Sequence, residues 1–223
     1  MDVERKVQLN AYARRKYNEL EKESYTELMN GDVKITNVLT KLLRLAQLTG
    51  GYMRVGDDDV MEKVSDAKLQ ALEEIVDDCI DAGKKLVVFA RFVPEIDAIA
   101  NMLKKKNIQY SLIKGDVKDR AEQVDQFQNN DLVRVFIGQI QTTGMGLTLT
   151  KADTAVFYSL DFNYSNYEQA KARIHRIGQK NKCTYIHLIA EGTVDEKVMH
   201  ALNQKKSMAD LVVDNWKSLF NKE

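Results

Sequence analysis

Gln169-Ala170-Lys171-Ala172-Arg173-Ile174-His175-Arg176-Ile177-Gly178-Gln179 is the stretch from which the fold and the function of this chain can be predicted. Just before it, Ser165-Asn166-Tyr167-Glu168 has the Ser-x-x-Glu form of a capping box, in which a hydroxyl and a carboxylate satisfy the first free N–H groups of a helix. Gly178 favours the left-handed conformation that commonly ends a helix. The pattern therefore predicts a short helix from about Asn166 to Ile177.

On such a helix, Gln169, Arg173 and Arg176 stand at i, i+4 and i+7 and share one face. Guanidinium groups one turn apart repel each other unless an anion lies between them, and their forked shape suits phosphate oxygens. The strand-like run Thr154-Ala155-Val156-Phe157-Tyr158 precedes the helix and places its start at a sheet edge, where α/β proteins bind ligands. We therefore predict a phosphate site on this face. The alternative is a solvated basic face, which is what most charged helix faces are.

Two motifs in this region resemble those of a known family. The pattern Q-A-x-x-R-x-H-R-I-G-Q resembles the sixth motif of the SWI2/SNF2 family of ATP-driven double-stranded DNA translocases. Residues 144–154, Gly-Met-Gly-Leu-Thr-Leu-Thr-Lys-Ala-Asp-Thr, are similar to its fifth motif, G-x-G-L-x-L-x-x-A-D-x. The resemblance continues upstream through Val87-Val88-Phe89-Ala90-Arg91-Phe92 and covers roughly Asp66 to Glu196. Two motifs at the right distance are far more specific than a lone glycine pattern.

Composition indicates an ordinary intracellular domain. Lys plus Arg and Asp plus Glu are both 33 in the 223 residues, so any contact with nucleic acid must come from a local basic patch. Cys79 and Cys183 lie in apolar runs and are typical of small core residues, not of a disulfide. The three histidines are scattered and form no metal set. We find no signal peptide and no apolar run long enough to span a bilayer, which predicts a cytoplasmic or nuclear protein without membrane contact.

The first 65 residues differ in pattern from the rest. Charged, tyrosine-bearing sequence from Val3 to Leu28 and a strong apolar stripe from Ile35 to Ala46 each predict a helix. Residues 54–65, with Asp57-Asp58-Asp59, are expected to form an exposed acidic loop. The resemblance implies that residues 1–65 are the helical segment linking two motor lobes. A helical hairpin packed on the domain is the alternative.

Residues 66–223 alternate between strand-like and helix-like patterns. Apolar runs predict strands at 86–90, 110–113, 133–137, 154–158 and 184–190, with helices between them and two helices, 194–202 and 211–220, closing the chain. Such alternation is typical of an α/β fold with a parallel sheet covered on both faces. The resemblance makes this a RecA-like parallel sheet flanked by helices, preceded by a helical N-terminal segment.

Two parts of an ATPase are missing from the sequence. No G-x-x-x-x-G-K-[ST] phosphate loop exists, since Gly83-Lys84-Lys85 has Asp78 in place of the first glycine. No D-E-x-H box follows a strand to hold Mg²⁺ or orient the attacking water. In the family those parts sit on the first lobe. The resemblance therefore implies that this chain is the second, C-terminal lobe, that a first lobe precedes Met1, and that this lobe alone does not hydrolyse ATP.

The resemblance also implies roles for individual residues. Arg173 and Arg176 would act as arginine fingers toward ATP bound, with Mg²⁺, by the first lobe, and no metal ligand is expected in this chain. Gln169, Gly144 and Gly146 would contact the nucleotide. Double-stranded DNA would be held through phosphates by the candidates Lys114, Lys118, Arg120, Thr142 and Thr143. The expected partners are therefore duplex DNA and the N-terminal RecA-like lobe of the same protein.

Two other functions remain open at this point. A strand-separating helicase lobe of the same superfamily would unwind duplexes, which SWI2/SNF2 relatives generally do not. A non-catalytic RecA-like interaction module would give no stimulation of ATP hydrolysis when joined to a first lobe.

Overall fold

The structure, a computed structural model, describes residues 1–31, 33–56, 60–115, 117–142 and 146–220. Its strands are β1 Asp2–Val7, β2 Tyr52–Val55, β3 Val60–Lys63, β4 Leu86–Ala90, β5 Gln109–Ile113, β6 Val133–Gln139, β7 Thr154–Phe157 and β8 Thr184–Ala190. Its α-helices are α1 Ala11–Asn30, α2 Ile35–Thr49, α3 Ala67–Asp81, α4 Val93–Lys105, α5 Arg120–Asn129, α6 Tyr164–Lys171, α7 Val194–Asn203 and α8 Met208–Asn215, followed by a 3₁₀ turn at Trp216–Leu219.

Six of the strands form one sheet in the order β1-β8-β7-β4-β6-β5. Strand β4 lies at its centre and pairs in parallel with β6 and β7, so that Leu86 stands beside Val135 on one side and Thr154 on the other. All five residues of β4 are buried, as expected for a strand covered on both faces. The predicted α/β fold with a parallel, helix-flanked sheet is therefore confirmed.

The direction of the crossovers changes at one place in this sheet. From β4 the chain moves outward to β5 and returns to β6, whereas β7 and β8 lie on the other side of β4. The boundary between β4 and β7 is thus a topological switch point, where open α/β sheets form a crevice at the carboxyl ends of their strands. The candidate site residues are placed around this edge by the loops that follow the strands.

Two local predictions for the N-terminal part were wrong. Residues 2–7, expected to begin a helix, form the edge strand β1, and just before it Met1 O accepts a hydrogen bond from Tyr185 N at 2.8 Å. The partner lies far along the chain, so no local pattern encodes the pairing. The expected acidic loop contains an antiparallel hairpin, β2 and β3, with Tyr52 opposite Lys63. Asp57, Asp58 and Asp59 lie outside the described residues.

Contacts divide the chain into two compact units. The first comprises residues 1–5, 69–161 and 165–188, and the second comprises 6–68, 162–164 and 189–223. The second unit thus groups the N-terminal helices with the C-terminal ones. The division inferred from the sequence, a linking segment at 1–65 and a lobe at 66–223, stays a prediction.

A buried ion pair lies inside the second unit. The Nζ of Lys68 stands 2.6 Å from Oδ2 of Asp195, and the two side chains are only 1% and 5% exposed. The same carboxylate accepts hydrogen bonds from the Thr49 hydroxyl at 2.8 Å and from Ala190 N at 3.0 Å. One carboxylate therefore joins the end of α2, the start of α3, the end of β8 and the first turn of α7.

A buried histidine lies inside the first unit. His187 on β8 is fully buried, stacks on the ring of Phe157, and has its Nε2 2.9 Å from the Tyr167 hydroxyl. Burial lowers the pKa of His187 to about 4, while the Asp2 carboxylate opposes this shift and Lys171 adds to it. The imidazole is therefore neutral near pH 7.

Candidate functional site

The helix that carries the candidate phosphate site is shorter than predicted. Helix α6 begins at Tyr164 and ends at Lys171, so Arg173 and Arg176 lie in the turns that follow it. The predicted shared helix face of Gln169, Arg173 and Arg176 is therefore wrong. The predicted capping box is also wrong, because Ser165 is inside the helix and its hydroxyl accepts a hydrogen bond from Gln169 Nε2 at 3.1 Å.

Tertiary hydrogen bonds keep the chain from continuing as a helix to its predicted end at Ile177. A continuing helix would need the carbonyls of Arg173 and Ile174 for the N–H groups four residues on. Instead, Arg173 O accepts from Leu149 N at 2.9 Å, and Ile174 O accepts from the side chain of Gln179 at 3.2 Å. Gly178 then turns the chain with a φ of +102°, a left-handed value that favours glycine.

The structure nevertheless brings the two arginines to one place beside the fifth-motif segment. Arg176 is exposed, and its Nη1 donates to Gly146 O at 2.8 Å and to Leu147 O at 3.3 Å. Arg173, by contrast, is only 9% exposed. Burial lowers the pKa of Arg173, and the positive charge of Arg176 lowers it further. An anion bound near both guanidinium groups would offset the repulsion between them.

Gln179 fastens the two motifs to each other, a role that the sequence analysis did not assign. Its Nε2 lies within hydrogen-bonding distance of Thr150 O at 3.2 Å, Ala152 O at 2.8 Å and Ile174 O at 3.2 Å. Its Oε1 accepts from Asn181 N at 3.0 Å. The signal was present, because this glutamine is the last residue of the sixth-motif pattern, but its carbonyl partners are distant in sequence.

A buried charged cluster lies at the switch point between β4 and β7. Arg91 follows β4, and its Nη1 stands 3.7 Å from Oδ1 of Asp161, which follows β7. The Ser159 hydroxyl donates to Glu95 at 2.6 Å and accepts from Arg91 N at 2.8 Å. Burial lowers the pKa of Arg91, while Asp161 and Glu95 oppose that shift. The cluster holds the loops after β4 and β7 together beside the candidate site.

The candidate nucleic-acid contacts lie at the same edge of the sheet, after β5 and β6. Lys114 Nζ is 3.0 Å from the Asp97 carboxylate on α4, so it must leave that ion pair to bind a phosphate. Lys118 is exposed, and Arg120 Nε donates to Val117 O at 3.3 Å. Thr142 donates its hydroxyl to Gln139 O at 3.0 Å.

The remaining candidates were predicted to contact the nucleotide. Gln169 Nε2 donates to Ser165 within α6, as described above. Gly146 has a φ of +64° and offers its carbonyl to Arg176. Gly144 lies outside the described residues, as does Thr143, which was predicted as a DNA contact. The structure thus brings Gly146 to the arginines, while Gln169 stays on the preceding helix.

Among the described residues, no three His, Cys, Asp or Glu side chains are grouped so that they could hold a metal ion, and we assign no Mg²⁺ ligand to them. Within the same residues, no helix combines the length and apolar character needed to cross a bilayer.

Comparison with known proteins agrees with this arrangement. Residues 67–178, which are 112 of the 223 residues, match the family described as the helicase conserved C-terminal domain. Helicase swr1 of Aspergillus fumigatus is 31% identical over 148 residues, 66% of this chain and 9% of that protein. Chromatin-remodeling ATPase INO80 of Mycosarcoma maydis is 31% identical over 152 residues, 67% of this chain and 8% of that protein. The chain thus spans about a tenth of the length of these curated relatives.

Two solved structures of Sulfolobus solfataricus proteins share the fold of this chain. The C-terminal domain of a SWI2/SNF2 ATPase covers 100% of both chains with a TM-score of 0.74 and 19% identity. A SWI2/SNF2 ATPase core in complex with double-stranded DNA has a TM-score of 0.77 and 22% identity, and the match covers 100% of this chain and 50% of that one. The chain therefore belongs to the helicase conserved C-terminal domain family, as the C-terminal RecA-like lobe of a SWI2/SNF2-type ATPase.

Proposed function

We propose that this lobe serves a two-lobe, ATP-dependent double-stranded DNA translocase, in which Arg173 and Arg176 act on ATP held by the first lobe. The placement of the arginines carries the proposal. Arg176 is exposed beside Gly146, and it lies close enough to buried Arg173 for its charge to lower the pKa of Arg173. A polyphosphate reaching this pair would relieve the repulsion and would meet a forked donor suited to its oxygens.

The two arginines have different tasks in this proposal. Arg176 exchanges its carbonyl partners on Gly146 and Leu147 for phosphate oxygens and stabilises the charge that develops on them. Arg173, which is buried and bonded through its carbonyl to Leu149, keeps the segment in place and adds a second positive charge. Arginine fingers of this kind contribute about 10³–10⁵ to turnover. Mg²⁺, adenine and most phosphate contacts belong to the first lobe.

DNA binding is the second part of the proposal. Lys114, Lys118 and Arg120 would meet duplex phosphates after β5, with Thr142 beside them after β6. Such contacts position a protein on DNA without reading its sequence, and they weaken as salt rises. Sulfolobus solfataricus supplies a solved core of the same fold that is in complex with double-stranded DNA, which supports this choice of ligand. An intracellular location, where DNA and ATP are both present, is part of the same proposal.

Arg176 offers the sharpest test, in the two-lobe protein with ATP, Mg²⁺ and duplex DNA. We expect Arg176→Ala to lower turnover by about 10³-fold or more, with a smaller effect on nucleotide affinity. Arg176→Lys should recover little activity, because a point charge cannot reproduce the fork. Thermal melting should hardly change, because the side chain is exposed.

Arg134 provides the matched control. Its Nη2 donates to the carbonyl of Lys84 at 2.9 Å, the same kind of contact as that of Arg176, but at the amino-terminal edge of the sheet. Arg134→Ala should leave turnover unchanged. Equal turnover in Arg176→Ala and Arg134→Ala would refute the arginine-finger assignment. Duplex unwinding by the same protein would instead favour the strand-separating helicase.

A further inference from the structure

Gln139 is the last residue of β6 and contacts the loops that follow three adjacent strands. Its Oε1 accepts from Gly115 N at 3.1 Å in the loop after β5, and its Nε2 donates to Arg91 O at 3.3 Å after β4. Its own carbonyl accepts from both the N–H and the hydroxyl of Thr142, each at 3.0 Å. No other side-chain amide that we describe joins these three loops.

The bond to Gly115 begins a series of contacts that ends on a cation. Lys114 O, next to Gly115, accepts from Val117 N at 3.0 Å, and Val117 O accepts from Arg120 Nε at 3.3 Å. The position of Gly115 therefore sets the positions of the Lys114 backbone and of the Arg120 guanidinium. The Thr142 contacts place the turn after β6 from the same residue. Gln139 thus stands between the two segments that the proposed function assigns to DNA.

We propose that Gln139 is a positioning residue for DNA binding, which holds the Lys114 backbone, the Arg120 guanidinium and Thr142 in one register for duplex phosphates. The inference rests on the proposed function. An amide suits this role because it offers a donor and an acceptor at once, and it meets one carbonyl and one N–H. A hydrophobic residue of the same length, as in Gln139→Met, would fill the space but hold neither loop.

The test uses Gln139→Met in this chain, with Gln123→Met as the matched control. Gln123 Oε1 accepts from Leu112 N at 3.0 Å, so the control loses an amide-to-backbone bond to the same strand region but not to the loop. Binding of a short duplex is measured over a range of salt concentrations. We expect Gln139→Met to weaken binding severalfold and to reduce the slope of log K against log salt by about one phosphate contact. Gln123→Met should change neither.

A second measurement guards against simple loss of folding. Amide hydrogen exchange should show faster exchange at Gly115 in Gln139→Met, with the amides of β4 still protected. Lys114→Ala and Arg120→Ala test the proposed DNA surface separately from the positioning role of Gln139. If these weaken DNA binding while Gln139→Met matches Gln123→Met, the positioning role is refuted and the proposed function stands. If neither cation matters to binding, the proposed DNA surface is wrong and the inference fails with it.

Discussion

Removing one partner of the buried ion pair Lys68–Asp195 should destabilise the protein strongly. Lys68→Met leaves a buried carboxylate that still accepts hydrogen bonds from Thr49 and Ala190. Breaking such a pair costs about 3–5 kcal/mol, and the two remaining donors place this variant near the lower figure. Asp195→Ala leaves the Lys68 ammonium and the Ala190 N–H without their acceptor, while the Thr49 hydroxyl still has Ala46 O at 2.9 Å. It should cost more than Lys68→Met, because the orphaned N–H group adds about 1–3 kcal/mol.

Urea unfolding followed by tryptophan fluorescence reports on this pair directly. Trp216 is the single tryptophan in the sequence and lies in the same compact unit as the pair, with its ring centroid 5.8 Å from that of Tyr25 and 6.1 Å from that of Phe220. The double variant Lys68→Met/Asp195→Ala should cost clearly less than the two single costs added together, since neither charge is then left alone. A loss below about 1 kcal/mol in Lys68→Met, or simple additivity in the double variant, would refute the reasoning.

Three further outcomes are expected. Lowering the pH from about 6.5 to about 4 should destabilise the protein by roughly 3 kcal/mol through His187, because the unfolded chain binds a proton there and the folded chain does not. Urea unfolding of His187→Gln should lack this component of the pH dependence. Arg173→Ala should lower the melting temperature while Arg176→Ala does not, because only Arg173 is buried, and equal melting temperatures would contradict this. The chain by itself should show no DNA-stimulated ATP hydrolysis in a phosphate-release assay, and robust turnover that is lost in Arg176→Ala would contradict the assignment of the phosphate loop to another lobe.

The parallel sheet was predictable because its strands carry their own signal. The run from Leu86 to Ala90 is apolar throughout, and the structure buries every residue of it. All four residues of β7 and five of the seven residues of β8 are buried, and the bounds of both strands differ from the prediction by at most one residue. A continuous apolar run between helical patterns indicates a strand that is buried on both faces. This prediction can be made without knowing which strands are neighbours in the sheet.

The parts that could not be predicted depend on partners distant in the chain. The predicted helix does not continue to Ile177, because Leu149 N and the Gln179 side chain bond to the carbonyls of Arg173 and Ile174 that a longer helix would have used. Strand β1 exists because Met1 to Val7 pair along β8, whereas their own sequence is mostly charged. The amides of Gln139 and Gln179 were missed for the same reason. Arg173 and Arg176 were found as a candidate pair by motif, although the geometry expected of them was that of a longer helix.

The hydrogen bond from Leu149 N to Arg173 O has a consequence for genetics. It joins the fifth-motif and sixth-motif segments main chain to main chain, so no side-chain substitution removes it directly. Whatever each segment binds, a shift of one backbone displaces the other. Collections of mutants in these segments should therefore not sort into two independent phenotypic classes. Pairs drawn from both should show epistasis, whereas pairs that combine either segment with the Lys68–Asp195 contact, which belongs to the other compact unit and shares no contact residue with them, should combine additively.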